Sequence, residues 1–332
     1  MKKKGWTTGD IQKLFRLEGN SRFSLFNAES KQLIPKASRI SRGTTQVRVW
    51  ELEQLSEIGK HFGFLKHPNK KLIICVYTPK GGVLKTSYGY NLARTIAING
   101  IRVLIIGMDI AQASITGYAL PPLDIQSLDE LNEVDLGLYH YFFENASLDE
   151  TIKHTSLPTL DIIPETPELN LLEMKLRFVK RREYFIKDKL LNELQERYDV
   201  ILFDNGPGWN QLVENSLTAS NIVVSPIGCE IEAYKALDRN MSAILDFQKE
   251  MNIKWDNVIH IPTLLETNKL SQQIYGKYLN KYADTIIPVP IRRSVKGQEA
   301  RAFHASVIEY DPASALADDY YRSITQTWAR LQ

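Results

Sequence analysis

Lys80-Gly81-Gly82-Val83-Leu84-Lys85-Thr86-Ser87 stands between an apolar run, Leu72 to Tyr77, and a helix-compatible run, Tyr88 to Ile98. Strand, glycine-rich turn and helix, in that order, form the context a phosphate-binding loop requires. Gly81 and Gly82 let backbone N–H groups approach phosphate oxygens with no Cβ in the way. The start of the following helix adds unpaired N–H groups and a dipole that favours an anion. In such a loop Lys85 lies against the β- and γ-phosphates of a nucleotide, and Thr86 offers its hydroxyl to Mg²⁺. The plain alternative is a glycine turn flanked by two solvated lysines.

The usual spacing G-x-x-x-x-G-K-[ST] needs glycine at 79 and 84, where this chain has Pro79 and Leu84. The chain keeps a lysine directly before the double glycine. In this the loop resembles the deviant form found in the ParA/MinD ATPases. The resemblance implies ATP bound by residues 80–87, with Lys80 reaching the phosphates held by a second subunit. It therefore implies a homodimer closed as an ATP sandwich. Leu84 departs from the family's glycine, and its side chain could crowd the phosphates or point away from them.

Further along, apolar runs alternate with helix-compatible stretches. Leu72–Tyr77, Val103–Ile106, Leu160–Ile163, Val200–Phe203, Ile222–Ser225, Val258–Ile261 and Thr285–Ile287 read as strands. They are rich in Val and Ile, as strands covered on both faces are. The alternation predicts an α/β fold with a doubly wound, mostly parallel sheet, and ligands then bind outside the carboxyl ends of its strands.

Two more strand ends carry carboxylates. Val103 to Met108 runs into Asp109, and Val200 to Phe203 runs into Asp204 and then Gly206-Pro207-Gly208. In the ParA family the first position reads Asp-x-Asp-Pro-Gln. The resemblance implies that Asp109, matching the second aspartate, helps position the attacking water. Gly107 replaces the first aspartate, and Ile110-Ala111 stands where the family has a proline. The second segment resembles the family's Walker B strand, which implies that Asp204 holds Mg²⁺ through its water shell. Lys80, Lys85 and Asp109 are then the candidate catalytic residues. The plain alternatives are a helix-cap or turn aspartate at Asp109 and a turn aspartate at Asp204. Ile287 to Arg292 and Tyr310 to Ala313 resemble the family's C-terminal segment, which implies adenine near Thr263 and Pro290. The likeness covers roughly residues 70–330.

Residues 1–67 carry a different signal. They hold 13 Lys/Arg and 6 Asp/Glu, a net charge of +7, which leaves −5 for the remainder. A small basic segment joined to a larger acidic one suggests a nucleic-acid module. Thr7 to Phe15 reads as a helix, Gly19-Asn20-Ser21 as a turn, Arg22 to Ala28 as a second helix. Val47 to Trp50 alternates as a strand would, and Glu51 to Phe62 is helical, with Leu52, Leu55, Ile58 and Phe62 on one face. The order resembles the winged helix-turn-helix of MerR-type DNA-binding domains. That implies phosphate contacts from a wing tip at Arg39 to Gly43, including Arg39 and Arg42, with Arg48 beside them. It also implies a second helix presenting Arg22 and Asn27 to the major groove. A helical adaptor with solvated arginines is the alternative. The proline-containing stretch Lys66 to Lys71 marks the expected boundary between residues 1–67 and residues 68–332.

Composition adds limits. Hydrophobic residues are 43% and charged ones 24% of 332 residues, the balance of a globular protein. Cys75 and Cys229 lie in apolar stretches, as buried thiols in a reducing cytoplasm do. No apolar run approaches the roughly 20 residues of a membrane span. No signal-peptide core follows the basic N-terminus. Two basic clusters remain, Lys175 to Lys189 and the group containing Arg292 and Arg293. In ParA proteins such clusters bind DNA without sequence preference. The resemblances together imply a cytoplasmic, nucleoid-associated partition ATPase. It would bind operator and nonspecific DNA, and a ParB-like centromere-binding protein would stimulate it. A nucleotide-gated repressor with little turnover is the other reading; a membrane-cycling MinD-like protein is disfavoured by the acidic Asp318-Asp319 in the last helical stretch.

Overall fold

Strand β4 (Leu72–Val76) is the strand around which the main sheet is built. The computed structural model describes residues 5–17, 21–42, 45–121 and 135–332. The other strands of this sheet are β5 (Val103–Met108), β6 (Lys153–His154), β7 (Leu160–Ile163), β8 (Val200–Asn205), β9 (Ile222–Gly228), β10 (Asn257–Leu265) and β11 (Ile291–Arg292). Their order is β11-β10-β9-β4-β8-β5-β7-β6. Every pairing is parallel except β6 with β7. The expected doubly wound, mostly parallel sheet is therefore present.

Helices cover both faces, because parallel strands need long crossovers. They are α4 (Lys85–Ile98), α5 (Ser114–Ala119), α6 (Leu138–Phe143), α7 (Leu148–Thr151), α8 (Leu169–Leu176), α9 (Asn192–Arg197), α10 (Gln211–Ala219), α11 (Ile231–Glu250), α12 (Lys269–Lys281), α13 (Lys296–Ala302), α14 (Val307–Tyr310) and α15 (Ala315–Leu331). Side chains alternate across a strand. Leu72, Ile74 and Val76 accordingly join the apolar cluster of α4 and α15, whereas Ile73, Cys75 and Tyr77 join the clusters on the opposite face. Among the described residues no helix is long and apolar enough to cross a membrane.

One expected strand is corrected. Thr285–Ile287 makes only an isolated bridge, Ile286 with His260, and the sheet edge is taken by Ile291–Arg292 instead. Pro288 and Pro290 lack the N–H that a ladder needs, so regular pairing resumes only after them.

Before the main sheet come β1 (Trp6–Thr7), α1 (Thr8–Leu14), α2 (Ser21–Ser30), β2 (Ser38–Arg42), β3 (Thr45–Trp50) and α3 (Leu55–Phe62). Thr7 caps α1 through a capping box with Asp10. β2 and β3 form an antiparallel hairpin, with β1 on the other edge of β3. Within the expected wing segment, Ser38–Arg42 is thus a strand. The turn at Gly19-Asn20 and the hairpin tip at Gly43 lie outside the described residues. Leu55 and Ile58 are buried, while Leu52 and Phe62 pack half-buried against the same cluster, which continues through α4 and α15. Leu65 N–H donates to Asn99 Oδ1 (3.0 Å), and Trp328 Nε1 donates to the Lys66 carbonyl (2.9 Å).

Candidate active site

Between β4 and α4 the chain turns through residues 77–84. Gly82 has φ +75°, and the space beside both Gly81 and Gly82 is open to at least 4 Å. A phosphate group can therefore approach the backbone closely there. Leu84 takes the left-handed conformation, φ 62° and ψ 31°, that the family's glycine would adopt freely. For a leucine this costs roughly 1–2 kcal/mol. Its side chain packs against the apolar cluster beneath the loop. Leu84 supplies no side-chain cap, so none competes with an anion for the first N–H groups of α4.

Lys85 is buried, and its Nζ donates to the Lys80 carbonyl (2.9 Å), crossing the loop from helix to strand side. Burial lowers its pKa, while Asp204 and Asp109 oppose that shift. Lys80 itself is half-buried. Thr86 Oγ1 donates to Asp204 Oδ2 (2.8 Å). Asp204 is completely buried, and its Oδ1 has no hydrogen-bond partner. Burial, then the Glu165 carboxylate, pushes its pKa well above the usual range, with Thr86 and Lys85 acting the other way. An orphaned buried carboxylate oxygen beside a threonine hydroxyl fits a hydrated Mg²⁺, which keeps several waters. Val83 is buried and Ser87 bonds through its hydroxyl to that of Tyr118 (2.6 Å).

Asp109 is buried where β5 ends, and its Oδ1 accepts from Ala111 N–H (3.0 Å). The loop after β8 touches it: a Cβ at Gly206 would lie 2.8 Å from that same oxygen. Strands β4, β5 and β8 are adjacent, so register alone brings Lys85, Asp109 and Asp204 to one end of the sheet.

A third acid, Glu165, belongs here, and no motif in the sequence marks it. It follows β7, is buried, and its Oε2 accepts from Thr116 N–H (3.0 Å) and Thr116 Oγ1 (2.7 Å). Thr116 Oγ1 in turn accepts from Glu165 N–H (2.9 Å), while Glu165 Oε1 has no partner. Burial raises the Glu165 pKa to about 7, with Asp109 adding to the rise and the Thr116 bonds opposing it. The available signal was the one used for Asp109 and Asp204, a carboxylate just past an apolar strand, here displaced by Pro164.

Thr263 lies on β10, fully buried, with Oγ1 donating to the Val83 carbonyl (3.0 Å). It braces the loop from the side. Pro290 lines an open cleft of about 520 Å³ with Leu265, Glu266, Arg292 and Asp319. Arg292 is held by Asp319 through two side-chain bonds (2.6 and 2.7 Å), and Arg293 by Glu230 and Glu266. Both arginines remain about half exposed, so these pairs are screened by solvent. In the N-terminal part, Arg39 is exposed and stands opposite Arg48 across the hairpin. Arg48 bridges to Glu29 (3.3 Å) and covers the Phe26 ring. Asn27 is half-buried on α2. The side chains of Arg22 and Arg42 lie outside the described residues.

A family described as an AAA domain matches residues 71–257, more than half of the chain. The sporulation initiation inhibitor protein Soj of Bacillus subtilis is 30% identical over 251 residues, 75% of this chain and 94% of that one. The chromosome partitioning protein ParA of Caulobacter vibrioides is 29% identical over 264 residues, 79% of this chain and 96% of that one. Among solved structures, a Borrelia burgdorferi protein assigned to plasmid partition and bound to AMPPNP superposes with a TM-score of 0.59. It is 23% identical and covers 76% of this chain and 99% of that one, a likeness of fold. With a phosphate-loop site at the carboxyl end of the sheet and these relatives along most of its length, the chain is an ATPase and belongs to the Soj/ParA partition family.

Proposed function

We propose that this chain is a DNA-partition ATPase that binds ATP with Mg²⁺, dimerises on it, and hydrolyses it when a centromere-binding partner docks. The observation that carries the reading is the meeting of Lys85, Thr86, Asp204 and Asp109 at one end of the sheet. Loop amides and the start of α4 bind the phosphates. Lys85, held over the loop by the Lys80 carbonyl, meets the negative charge there. Thr86 directly, and Asp204 through water, would hold Mg²⁺, which when bound would supply positive charge beside the phosphate oxygens. Asp109 orients the attacking water from the far side of the site. Lys80 reaches across to a second copy, so that two copies close face to face over the nucleotide.

Residues 1–67 form, in this proposal, a winged helix-turn-helix that reads an operator. In support, Thr7, Thr8, Gly9, Arg39, Gln46 and Arg48 line an open groove of about 670 Å³. Nonspecific DNA binding by the dimer is assigned to the two basic clusters, Lys175–Lys189, where Lys180, Lys187 and Lys189 are exposed, and Arg292–Arg293; in both, the arginines also carry ion pairs to carboxylates. A second reading, a nucleotide-gated repressor with little turnover, draws on one observation. The Asp109 carboxylate already accepts from Ala111, as a turn aspartate does.

Phosphate release with DNA and partner present separates the two. Lys85→Ala and Asp109→Ala should each lower it by roughly 100-fold; nucleotide binding with little phosphate release by the unsubstituted chain would leave the repressor. Lys80→Ala should keep the fold and lose the ATP-dependent dimer in sedimentation.

A further inference from the structure

Gly107 and Glu165 occupy one space. A Cβ at position 107 would lie 2.5 Å from Glu165 Cγ, 2.7 Å from its Cδ and 3.0 Å from Ile115 Cγ2. Only a residue without a side chain on β5 lets the glutamate from the end of β7 turn inward beside Asp109. Once there, the glutamate clasps Thr116 by three hydrogen bonds: two into Oε2, and one from its own N–H to Thr116 Oγ1. Two residues on, Tyr118 bonds to Ser87 at the start of α4. Helix α5 is thus pinned at two points, one on the phosphate-loop side and one on the β7 side. The stretch between those pins and β5 is the segment that carries Asp109.

We propose that Glu165 is a positioning residue for hydrolysis: it latches the Asp109–Tyr118 segment to the end of β7 and so fixes where the Asp109 carboxylate stands. This rests on the hydrolytic reading given above. Glu165 acts through Thr116, and its effect belongs to the chemical step rather than to nucleotide binding. The charged groups around the latch are Asp109 from the end of β5, Asp204 from β8 and Lys85 from α4. The glycine at 107 is then a requirement of the latch, since any larger residue there would evict the carboxylate.

The test uses the full chain with DNA and partner, and takes kcat per nucleotide-binding site, counted by titration with a fluorescent ADP. Glu165→Ala should lower kcat at least about tenfold, with KM and ADP affinity changed by no more than about threefold. Glu165→Gln, which keeps the acceptor for Thr116, should recover to within about threefold of the original. Thr116→Val removes the hydroxyl that makes two of the three bonds; it should lower kcat in the same way as Glu165→Ala, and the double variant should lose no more than Glu165→Ala alone. A Glu165→Ala protein with unchanged kcat per site overturns the latch. So does a double variant in which the two losses multiply. If Glu165→Ala fails to fold, Thr116→Val decides by the same criterion: a normal kcat overturns the proposal. An unsubstituted chain that binds nucleotide yet never hydrolyses it overturns the hydrolytic reading, and the latch with it.

Discussion

His260 lies in β10 with its ring stacked on Tyr282 (4.6 Å between centroids) and Nδ1 against Thr285 Oγ1 (2.9 Å). Its Nε2 is buried without a partner, and burial lowers its pKa to about 4. The unfolded chain, with a histidine near 6.5, binds this proton more readily than the native state does. The neutral ring therefore supports the fold fully above pH 6.5, and that support is lost as pH falls toward 4. Between pH 7 and pH 5 the loss should be about 2 kcal/mol, read as a drop in urea midpoint. His260→Phe, which keeps a ring on Tyr282, should remove most of that drop. An equal drop in the variant would assign it elsewhere. The same scale shows what single residues disclose in advance. Lys85, Thr86 and Asp204 were legible because phosphate chemistry needs those groups at fixed offsets from a strand and a helix. Glu165 was not, because its place depends on a glycine 58 positions earlier in the chain being empty of side chain. For Leu84, sequence left two outcomes open, and its side chain packs half-buried against the apolar cluster of α4.

Among the elements, the β2–β3 hairpin makes the sharpest demand. If it is the wing, Arg39→Ala with Arg42→Ala removes two phosphate contacts. The dependence of log affinity on log salt should then flatten by about 2, while operator sequence preference stays. ATP hydrolysis should be untouched. Unchanged salt dependence in a fluorescence titration would take the hairpin out of the interface. The strands of the main sheet were legible wherever a run was apolar and buried on both faces, as β4, β5, β7, β8, β9 and β10 are. β5, β8, β9 and β10 run past the expected segments, as ladder pairing continues to residues such as Asn205, whereas β7 matches its segment and β4 ends one residue earlier. Two edges escaped notice. Lys153–His154 is two residues of polar sequence, and Ile291–Arg292 follows a proline pair. Neither bears the hydrophobic signal that marks a central strand.

Over the whole molecule, the N-terminal part is fastened to the ATPase part rather than tethered to it. Arg16 bridges to Asp318 (2.8 Å) and lies over the Tyr321 ring, whose hydroxyl donates to the Leu14 carbonyl. Ser56 Oγ meets Thr159 Oγ1 at 2.8 Å. Closest of all is α3 to the end of α4: a Cβ on Gly59 would collide with the Ile98 carbonyl, and one on Gly100 with Lys60. Gly59→Val should therefore wedge the two parts open at a cost of about 1–3 kcal/mol. The measurable result is faster proteolytic cutting near Lys66–Lys71, and an uncut chain would argue against the wedge.

Helix α4 begins at the phosphate loop and ends against α3. At 14 residues it is a strut about 21 Å long. One foot stands at the phosphate loop and the other bears directly on α3. Whatever tilts that strut at its first turn must also shift α3 and the N-terminal segment packed around it.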